Sequence, residues 1–116
     1  GILPATATGI RAAGSFDRVV KTVALCGGAG DSLLDNPAVV GADVYITSDL
    51  RHHPASESLE QSIARGTGPA LIDTSHWASE WLWLGYAAQE LQSAFPQLQI
   101  EVSELRTDPW DFAIPQ

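Results

Sequence analysis

The chain has 116 residues, of which 45% are apolar, and this length and composition predict one domain with a single hydrophobic core. Fourteen acidic residues against six basic ones give a net charge of −8, which opposes binding to nucleic-acid phosphates and favours a bound metal cation. No apolar run approaches the roughly 18 residues that a membrane-spanning helix requires. The composition therefore argues against nucleic-acid-binding and membrane-spanning proteins.

Cysteine usage and the start of the chain bear on its cellular setting. The single cysteine, Cys26, excludes an internal disulfide, and its place after an apolar run predicts a buried thiol in a reducing compartment. The first residues, GILPATATGI, lack the basic start and apolar block of a signal peptide. We therefore expect a cytoplasmic protein. The chain opens with Gly1 and contains no methionine, so we also expect it to be part of a longer polypeptide.

The predicted strands are spaced along the whole chain. TGIRAAG, residues 8–14, predicts an edge strand within an N-terminal linker, residues 1–18, and residues 19–116 form the α/β part. Apolar and β-branched runs predict the remaining strands. These are two strong matches at residues 19–26 and 43–49, and two weaker ones at residues 69–75 and 99–105.

Helical patterns separate these strands. They cover residues 31–35, 54–65 and 76–95. Pro54 stands in the first turn of the second helix, where proline is tolerated, and Gly66 is a typical helix stop. The β-α-β-α-β-α-β alternation predicts an α/β fold, in which a mostly parallel or mixed sheet is flanked by helices. The tail from residue 107 contains two prolines and is predicted to be irregular.

The glycine-rich stretch ALCGGAGDSLLD suggests a dinucleotide-binding loop, because it lies where a strand turns into a helix. Gly28 and Gly30 supply G-x-G, but Leu33 stands where the third glycine belongs. Asp49 lies nineteen residues beyond Gly30 and can imitate the ribose-binding acid. Asp31, however, puts a carboxylate where a pyrophosphate would bind, and it is better explained as a helix cap or a favourable N-terminal charge. A tight structural turn is the alternative interpretation.

The segment TSDLRHHP, residues 47–54, concentrates ionisable groups at the carboxyl end of the second strong strand. Ligands of open α/β sheets bind at this edge. Two adjacent histidines can both serve a metal when they lie in an irregular loop. An exposed polar loop, in which the aspartate only stabilises the turn, is the alternative. The ionisable residues concerned are Asp49, Arg51, His52 and His53.

The segment SHWASEW, residues 75–81, starts the third helix directly after the third strand. If Ser75 caps this helix, His76 and Glu80 lie one turn apart on the same face and can bind one ion. A solvent-exposed helix ion pair is the alternative. The pair borders an apolar stripe that is predicted to face the core and consists of Trp77, Trp81, Leu84, Ala88, Leu91 and Phe95.

Four motifs in this order, CGGAGDSLLD, GADVYITSDLRHHPASE, LIDTSHWASEW and TDPW, resemble the C-terminal portion of the NIF-three-like family. Members of this family are dinuclear metal-centre proteins, also described as GTP cyclohydrolase type 2 homologues. The tryptophan-rich version resembles actinobacterial members. The resemblance extends from Val19 to Trp110 and keeps the order and spacing of the loops.

The resemblance implies a cytoplasmic α/β protein whose subunits form a ring-like homohexamer, with two divalent metal ions in each full-length subunit. The family's G-H-x-x-x-E element supplies two metal ligands, which correspond here to His76 and Glu80. Ser75 replaces the usual glycine, a small-for-small change. The family's D-x-x-H-H element falls in the wall of the site, which we expect to comprise Asp49, Arg51, His52 and His53.

The family's remaining metal ligands belong to an N-terminal portion that this chain does not contain. Zinc takes about four ligands and octahedral metals about six, so we expect this chain alone to bind metal weakly or not at all. A histidine and a glutamate suit zinc, manganese or iron alike.

The expected function is metal-dependent hydrolysis of an unidentified small-molecule substrate, in which two cations activate a water molecule. His52 and His53 are the candidate catalytic residues, as proton shuttles or substrate contacts. Two alternatives remain: a non-catalytic metal-binding scaffold or regulatory protein, and a dinucleotide-binding module.

Overall fold

A four-stranded mixed sheet organises the computed structural model, which describes residues 1–115. In chain order, the strands are β1 (Arg11–Ala13), β2 (Val23–Ala29), β3 (Val44–Ser48) and β4 (Ala70–Thr74). The helices are α1 (Pro37–Val40), α2 (His52–Arg65) and α3 (His76–Ala94), and a 3-10 turn spans Asp31–Leu33. The predicted α/β class is confirmed.

The order of strands across the sheet is β1-β4-β3-β2. β2, β3 and β4 are parallel and joined by helical crossovers, whereas β1 pairs antiparallel with β4 at the edge. Ser48 of β3 is in register with Thr74 of β4. The two segments that follow these strands therefore leave the same edge of the sheet side by side.

The hydrophobic core lies on the face of the sheet that α2 covers. Tyr45 and Leu71 are in register on neighbouring strands, and Ala55 and Leu59, one turn apart on α2, pack against them. The Tyr45 hydroxyl donates to the Gly30 carbonyl at 2.8 Å, so this buried polar group is satisfied. The buried cluster consists of Leu34, Val39, Tyr45, Leu50 and Leu71. Cys26 packs against this cluster but is half-buried rather than buried as predicted.

α2 begins at His52, two residues before the predicted start. Pro54 is then the third helical residue, where an N–H would have no partner inside the helix, so the ring costs no hydrogen bond. The helix ends as predicted at Gly66, which adopts the left-handed conformation with φ of 70°. The earlier start changes the setting of both histidines, because it places them in regular helix.

α3 begins as predicted, with the Ser75 hydroxyl accepting a hydrogen bond from the Ala78 N–H at 3.4 Å. The predicted core-facing stripe is wrong. Ala78 is the fully buried residue of this helix, whereas Trp81 and Leu84 are 37% and 38% exposed and Leu91 and Phe95 are each 46% exposed.

Length accounts for the exposure of the later turns of α3. Nineteen helical residues extend about 28 Å, whereas the five residues of β3 extend only about 17 Å. Ala78 and Ser79 pack near the sheet, where Ser79 Oγ lies 3.2 Å from Ser48 Oγ, but the later turns have less sheet to cover. Trp81 lies near the start of the helix, and Val23 and Leu25 of β2 are exposed as well, so both the helix and the sheet carry apolar surface that the described chain leaves uncovered.

Other local predictions also differ from the structure. Residues 99–105 form no strand, and Leu105 is 77% exposed. A strand requires a neighbour for its backbone hydrogen bonds, which alternation alone does not provide. β2 starts at Val23 rather than at residue 19, and the short helix α1 was not predicted. Within residues 1–115, no helix is both long and apolar enough to cross a membrane.

Candidate functional site

The candidate site starts with Asp49, the residue that follows β3. Its φ of 55° makes it the one non-glycine residue with positive φ within residues 1–115. Aspartate tolerates this left-handed conformation better than most residues do. The turn directs its carboxylate towards the neighbouring strand end, where α3 begins after β4.

His76, the first residue of α3, links two carboxylates. Its Nδ1 lies 2.7 Å from Asp49 Oδ2, and its Nε2 lies 3.0 Å from Glu80 Oε1. The helix supplies the second contact, because residues four apart share one face. The parallel register of β3 and β4 supplies the first, because it places Asp49 beside the start of α3. Secondary structure thus positions all three side chains.

The hydrogen bond to Asp49 is the largest of the effects that raise the pKa of His76 above its ordinary 6.5, and the Glu80 carboxylate adds to it, while burial opposes the rise. Nδ1–H donates to Asp49, so Nε2 needs a proton of its own to donate to Glu80. Without that proton, a ring nitrogen and a carboxylate oxygen would face one another as two acceptors. The position between Nε2 and Oε1 therefore requires a cation, either a proton or a metal ion.

The backbone of β2 lies close to the His76 and Glu80 side chains at Gly28. A Cβ at Gly28 would lie 2.7 Å from Glu80 Oε1 and 3.2 Å from His76 Nε2, and its φ of 71° also favours glycine. The register of β2 against β3 shifts between Leu25 and Ala29, which marks a bulge at this point. Gly28 thus leaves room beside both candidate ligand atoms.

The separation of these two atoms suits an N–H···O hydrogen bond, and it is also compatible with a shared divalent cation. With metal–ligand bonds near 2.05 Å, adjacent ligands lie about 2.9 Å apart in an octahedral site and about 3.3 Å apart in a tetrahedral one. The observed 3.0 Å lies between these values. Two ligands do not complete a site, and the part of the chain that the structure describes contains no group of three His, Cys, Asp or Glu side chains arranged to hold a metal.

A cavity of about 760 Å³ opens beside the His76–Glu80 pair. The pair and Asp49 line this cavity, together with Asp108 and Trp110 from the irregular tail. Arg11 also lines this cavity, where it pairs with Asp73. The chain therefore places a sizeable binding space directly next to the candidate metal ligands.

The structure brings Asp49 to His76 and Glu80 but places the other predicted wall residues elsewhere. Arg51 forms an ion pair with Asp31. His52 lines a separate cavity of about 360 Å³ beside α2. His53 is exposed in the first turn of α2, and its ring meets that of His52 edge-on at 5.2 Å. The premise that both histidines occupy an irregular loop is wrong.

In the structure, the glycine-rich stretch fits the alternative interpretation, a tight structural turn. Gly30 packs closely against the side chains of Tyr45 and Thr47, where a Cβ would collide with them. The element that follows is a three-residue 3-10 turn, too short to form the helix N-terminus on which a pyrophosphate binds. Asp31 begins this turn and pairs with Arg51.

Reasoning from the sequence missed the role of Gly28 and that of Asp108 in the cavity. The G-x-G pattern signalled a close backbone approach at Gly28, but only the fold shows that α3 is the partner. Asp108 lies in an irregular segment with no periodicity, and its placement depends on long-range contacts.

Comparison with known proteins matches nearly the whole chain to one protein family. The sequence profile of the Duf34/NIF3 (NGG1p interacting factor 3) family matches residues 3–109. The chain is 52% identical over 110 residues to the GTP cyclohydrolase 1 type 2 homolog of Mycobacterium tuberculosis, covering 94% of this chain and 28% of that protein. The homolog of the same name from Streptomyces coelicolor is 47% identical over 113 residues, covering 93% of this chain and 38% of its own length.

Solved structures show the same fold. A Bacillus cereus protein related to NIF3 superposes with a TM-score of 0.76 at 29% identity, over 90% of this chain and 28% of that one. A Staphylococcus aureus protein gives a TM-score of 0.73 at 28% identity, over 96% and 34% of the two chains. The chain spans 27 to 38% of the length of the curated relatives it matches.

Proposed function

The chain belongs to the Duf34/NIF3 family, and on that premise we propose that it forms part of a dinuclear metal-dependent hydrolase, to which His76 and Glu80 contribute metal ligands. One observation carries the proposal. His76 Nε2 and Glu80 Oε1 face one another at 3.0 Å, while Asp49 occupies the other ring nitrogen. A proton on His76 or a shared divalent metal ion satisfies this contact, and a divalent metal suits the distance.

Asp49 and Gly28 support the two ligands in different ways. Asp49 accepts the Nδ1 proton, which directs the Nε2 lone pair towards Glu80 and increases the basicity of the ring. Gly28 keeps the β2 backbone close to both ligand atoms without filling the space between them. A divalent cation bound there would lower the pKa of a water molecule and stabilise developing negative charge.

The remaining ligands have to come from outside this chain. Zinc needs about four ligands and octahedral metals about six, so His76 and Glu80 leave most positions to other groups. The matched relatives are about 2.4 to 3.4 times as long as this chain, which leaves ample chain to supply them. We therefore propose that each subunit of a polypeptide of family length binds two divalent ions, which are zinc, manganese or iron. This chain alone should bind such ions only weakly.

Elemental analysis tests the metal proposal. The natural polypeptide of family length that contains this chain is expected to purify with, or take up, about two divalent ions per subunit. The His76→Ala, Glu80→Ala double variant should lose at least one of the two ions while remaining folded. A wild-type protein that neither contains metal nor takes it up would overturn the proposal.

A metal-binding scaffold without catalysis is the second candidate, and the position of the histidines favours it. His52 and His53, the candidate proton shuttles, line no part of the cavity beside His76 that the structure describes. Asp49 is engaged with His76 and is not free as a base. Screening for hydrolysis with and without a chelator separates the two: chelator-sensitive turnover supports the hydrolase, and none with metal bound supports the scaffold.

The proposal extends to assembly and cellular location. Val23 and Leu25 on β2, and Trp83 and Tyr86 on α3, are between 54% and 74% exposed, and exposed apolar surface of this kind commonly marks protein contacts. We propose that the longer polypeptide forms a cytoplasmic homohexamer. Light scattering is expected to give the mass of six subunits, and a monomer at micromolar concentration would contradict it.

A further inference from the structure

Three hydroxyl groups meet where β3, β4 and α3 come together, and we call them the hydroxyl cluster: Ser48, Thr74 and Ser79. Ser48 Oγ lies 3.1 Å from Thr74 Oγ1 and 3.2 Å from Ser79 Oγ. Thr74 Oγ1 donates to the Thr47 carbonyl at 3.2 Å, and Ser79 Oγ donates to the His76 carbonyl at 2.9 Å. Ser48 is 0% exposed, so its hydroxyl has only protein partners. The cluster therefore links the end of β3 to the first turn of α3.

The protons of the hydroxyl cluster show what this link does. When Thr74 and Ser79 donate to backbone carbonyls, the Ser48 proton is the one left for the contacts among the three hydroxyls. Loss of the Ser48 hydroxyl would leave both neighbours with their carbonyl acceptors, so no buried donor would be orphaned. The Ser48 hydroxyl thus adds little to the pairing of polar groups, and its main effect is on where α3 is held.

The contact between Ser48 and Ser79 bears directly on the direction of the candidate ligands. Around the axis of α3, at 100° per residue, Ser79 lies about 60° from His76 on one side and Glu80 about 40° from it on the other. Because Ser79 is tied to the sheet, it fixes the rotation of the helix, and the ligand pair turns towards the cavity. Ser48 also directly precedes Asp49, so the same contact ties the start of α3 to the Asp49 turn.

We propose that Ser48 and Ser79 are positioning residues for the candidate metal site. Their contact sets the rotation of α3 at which the His76 ring reaches both of its carboxylate partners. Without the contact, fewer molecules hold the two ligand atoms together, and the apparent metal affinity falls with that fraction. This inference rests on the proposed function for its effect on metal, but the contact between His76 and Asp49 is present without metal.

Metal titration of the polypeptide of family length tests the proposal. Ser48→Ala and Ser79→Ala should each weaken metal binding by about two- to tenfold, the factor by which one hydrogen bond shifts such an equilibrium. The double variant should lose no more affinity than the weaker-binding single variant, because both substitutions remove the same contact. Ser79→Thr keeps the hydroxyl and should restore most of the affinity.

Ser93→Ala is the matched control. Ser93 is an exposed residue in the last turn of the same helix, and its hydroxyl donates to the Gln89 carbonyl at 2.9 Å. The control therefore removes the same kind of bond within the helix, far from the hydroxyl cluster, and should leave metal affinity unchanged. An equal loss of affinity in Ser93→Ala and Ser79→Ala would assign the effect to the helix as a whole and overturn the proposal.

A measurement without metal separates this proposal from the proposed function. In the metal-free polypeptide labelled with ¹⁵N-histidine, NMR detects the His76 Nδ1–H proton that Asp49 accepts. Both serine-to-alanine variants of the cluster should speed the exchange of this proton with water severalfold, whereas Ser93→Ala should not. A wild type that takes up no metal would overturn the proposed function, and the exchange rates would still decide the positioning role. Unchanged exchange in both variants, or additive losses of metal affinity in the double variant, would overturn that role.

Discussion

The segments after β3 and β4 leave the same edge of the sheet, yet they do different things. The first, residues 49–53, contains more ionisable groups, but its two histidines enter α2 and lie away from the large cavity. The second, residues 75–80, contains one histidine and one glutamate, and both meet Asp49 or Gly28. The number of ionisable residues in a segment is therefore a poor guide to the site. Strand register is a better guide, because it decides which side chains come into contact.

The largest expected effect on metal content comes from alanine substitutions, made in one segment and then in the other. The His76→Ala, Glu80→Ala double variant of the polypeptide of family length should lose at least one of the two ions per subunit, because both ligands at that ion disappear. The matched pair His52→Ala, His53→Ala should keep its full metal content. Elemental analysis of both measures the contrast, and equal losses would remove the distinction between the two segments.

Asp49 connects the two segments, and its contribution is next in size. Asp49→Ala should weaken metal binding by about 10- to 100-fold, the usual effect of losing a group that orients a ligand histidine. Asp49→Asn keeps both an acceptor and tolerance of positive φ, so it should retain much of the affinity. Asp49→Gly relieves the backbone but has no acceptor.

Two measurements separate these roles of Asp49. Metal titration gives the affinity, and ¹⁵N NMR of the His76 ring gives the position of its proton. If Asp49 acts through His76, Asp49→Gly should lose affinity and the Nδ1–H tautomer together. If Asp49→Gly instead kept both, the residue would matter only for its backbone conformation.

Substitution of Gly28 tests whether the second segment depends on the close approach of the β2 backbone. Gly28→Ala should destabilise the protein by about 1–3 kcal/mol, because a Cβ meets Glu80 and because φ of 71° is strained for alanine. Gly27→Ala is the control, since a Cβ there has no heavy atom within 4 Å. Chemical denaturation compares the two, and equal stability would show that the β2 bulge adapts.

The smallest expected effect concerns Asp43, at the amino end of β3. This residue contributes to stability, whereas Asp49 at the carboxyl end belongs to the candidate site. Asp43 accepts hydrogen bonds from the Lys21 and Thr22 N–H groups at 2.9 and 2.8 Å, and these lower its pKa below the ordinary 3.8. The folded state therefore gains stability from Asp43 above its ordinary pKa. That gain is lost as the pH falls through the lowered folded value.

Thermal melts between neutral and strongly acidic pH measure this contribution. Asp43→Asn should be less stable than wild type at neutral pH, and the difference should shrink in strong acid. A difference that does not change with pH would mean that the hydrogen bonds, rather than the charge, hold the β2 and β3 ends together.

Several features were predictable because they depend on neighbours in the chain. The Ser75 cap, the Gly66 stop and the spacing of His76 and Glu80 follow from helix geometry within one or two turns. The strand at residues 99–105 failed because alternation does not supply a neighbouring strand. The core-facing stripe of α3 failed because periodicity shows which side of a helix is apolar but not whether another element covers it.

The sequence by itself determined the α/β class and the one-turn spacing of His76 and Glu80, since short-range periodicity and helix geometry control both, and its ordered motifs indicated the family by resemblance. Only the tertiary structure decided that Asp49 contacts His76 and that Gly28 makes room for the His76–Glu80 pair. The reason is physical: these contacts join residues about 20 to 60 positions apart, and strand register and chain packing, which no local pattern encodes, bring them together.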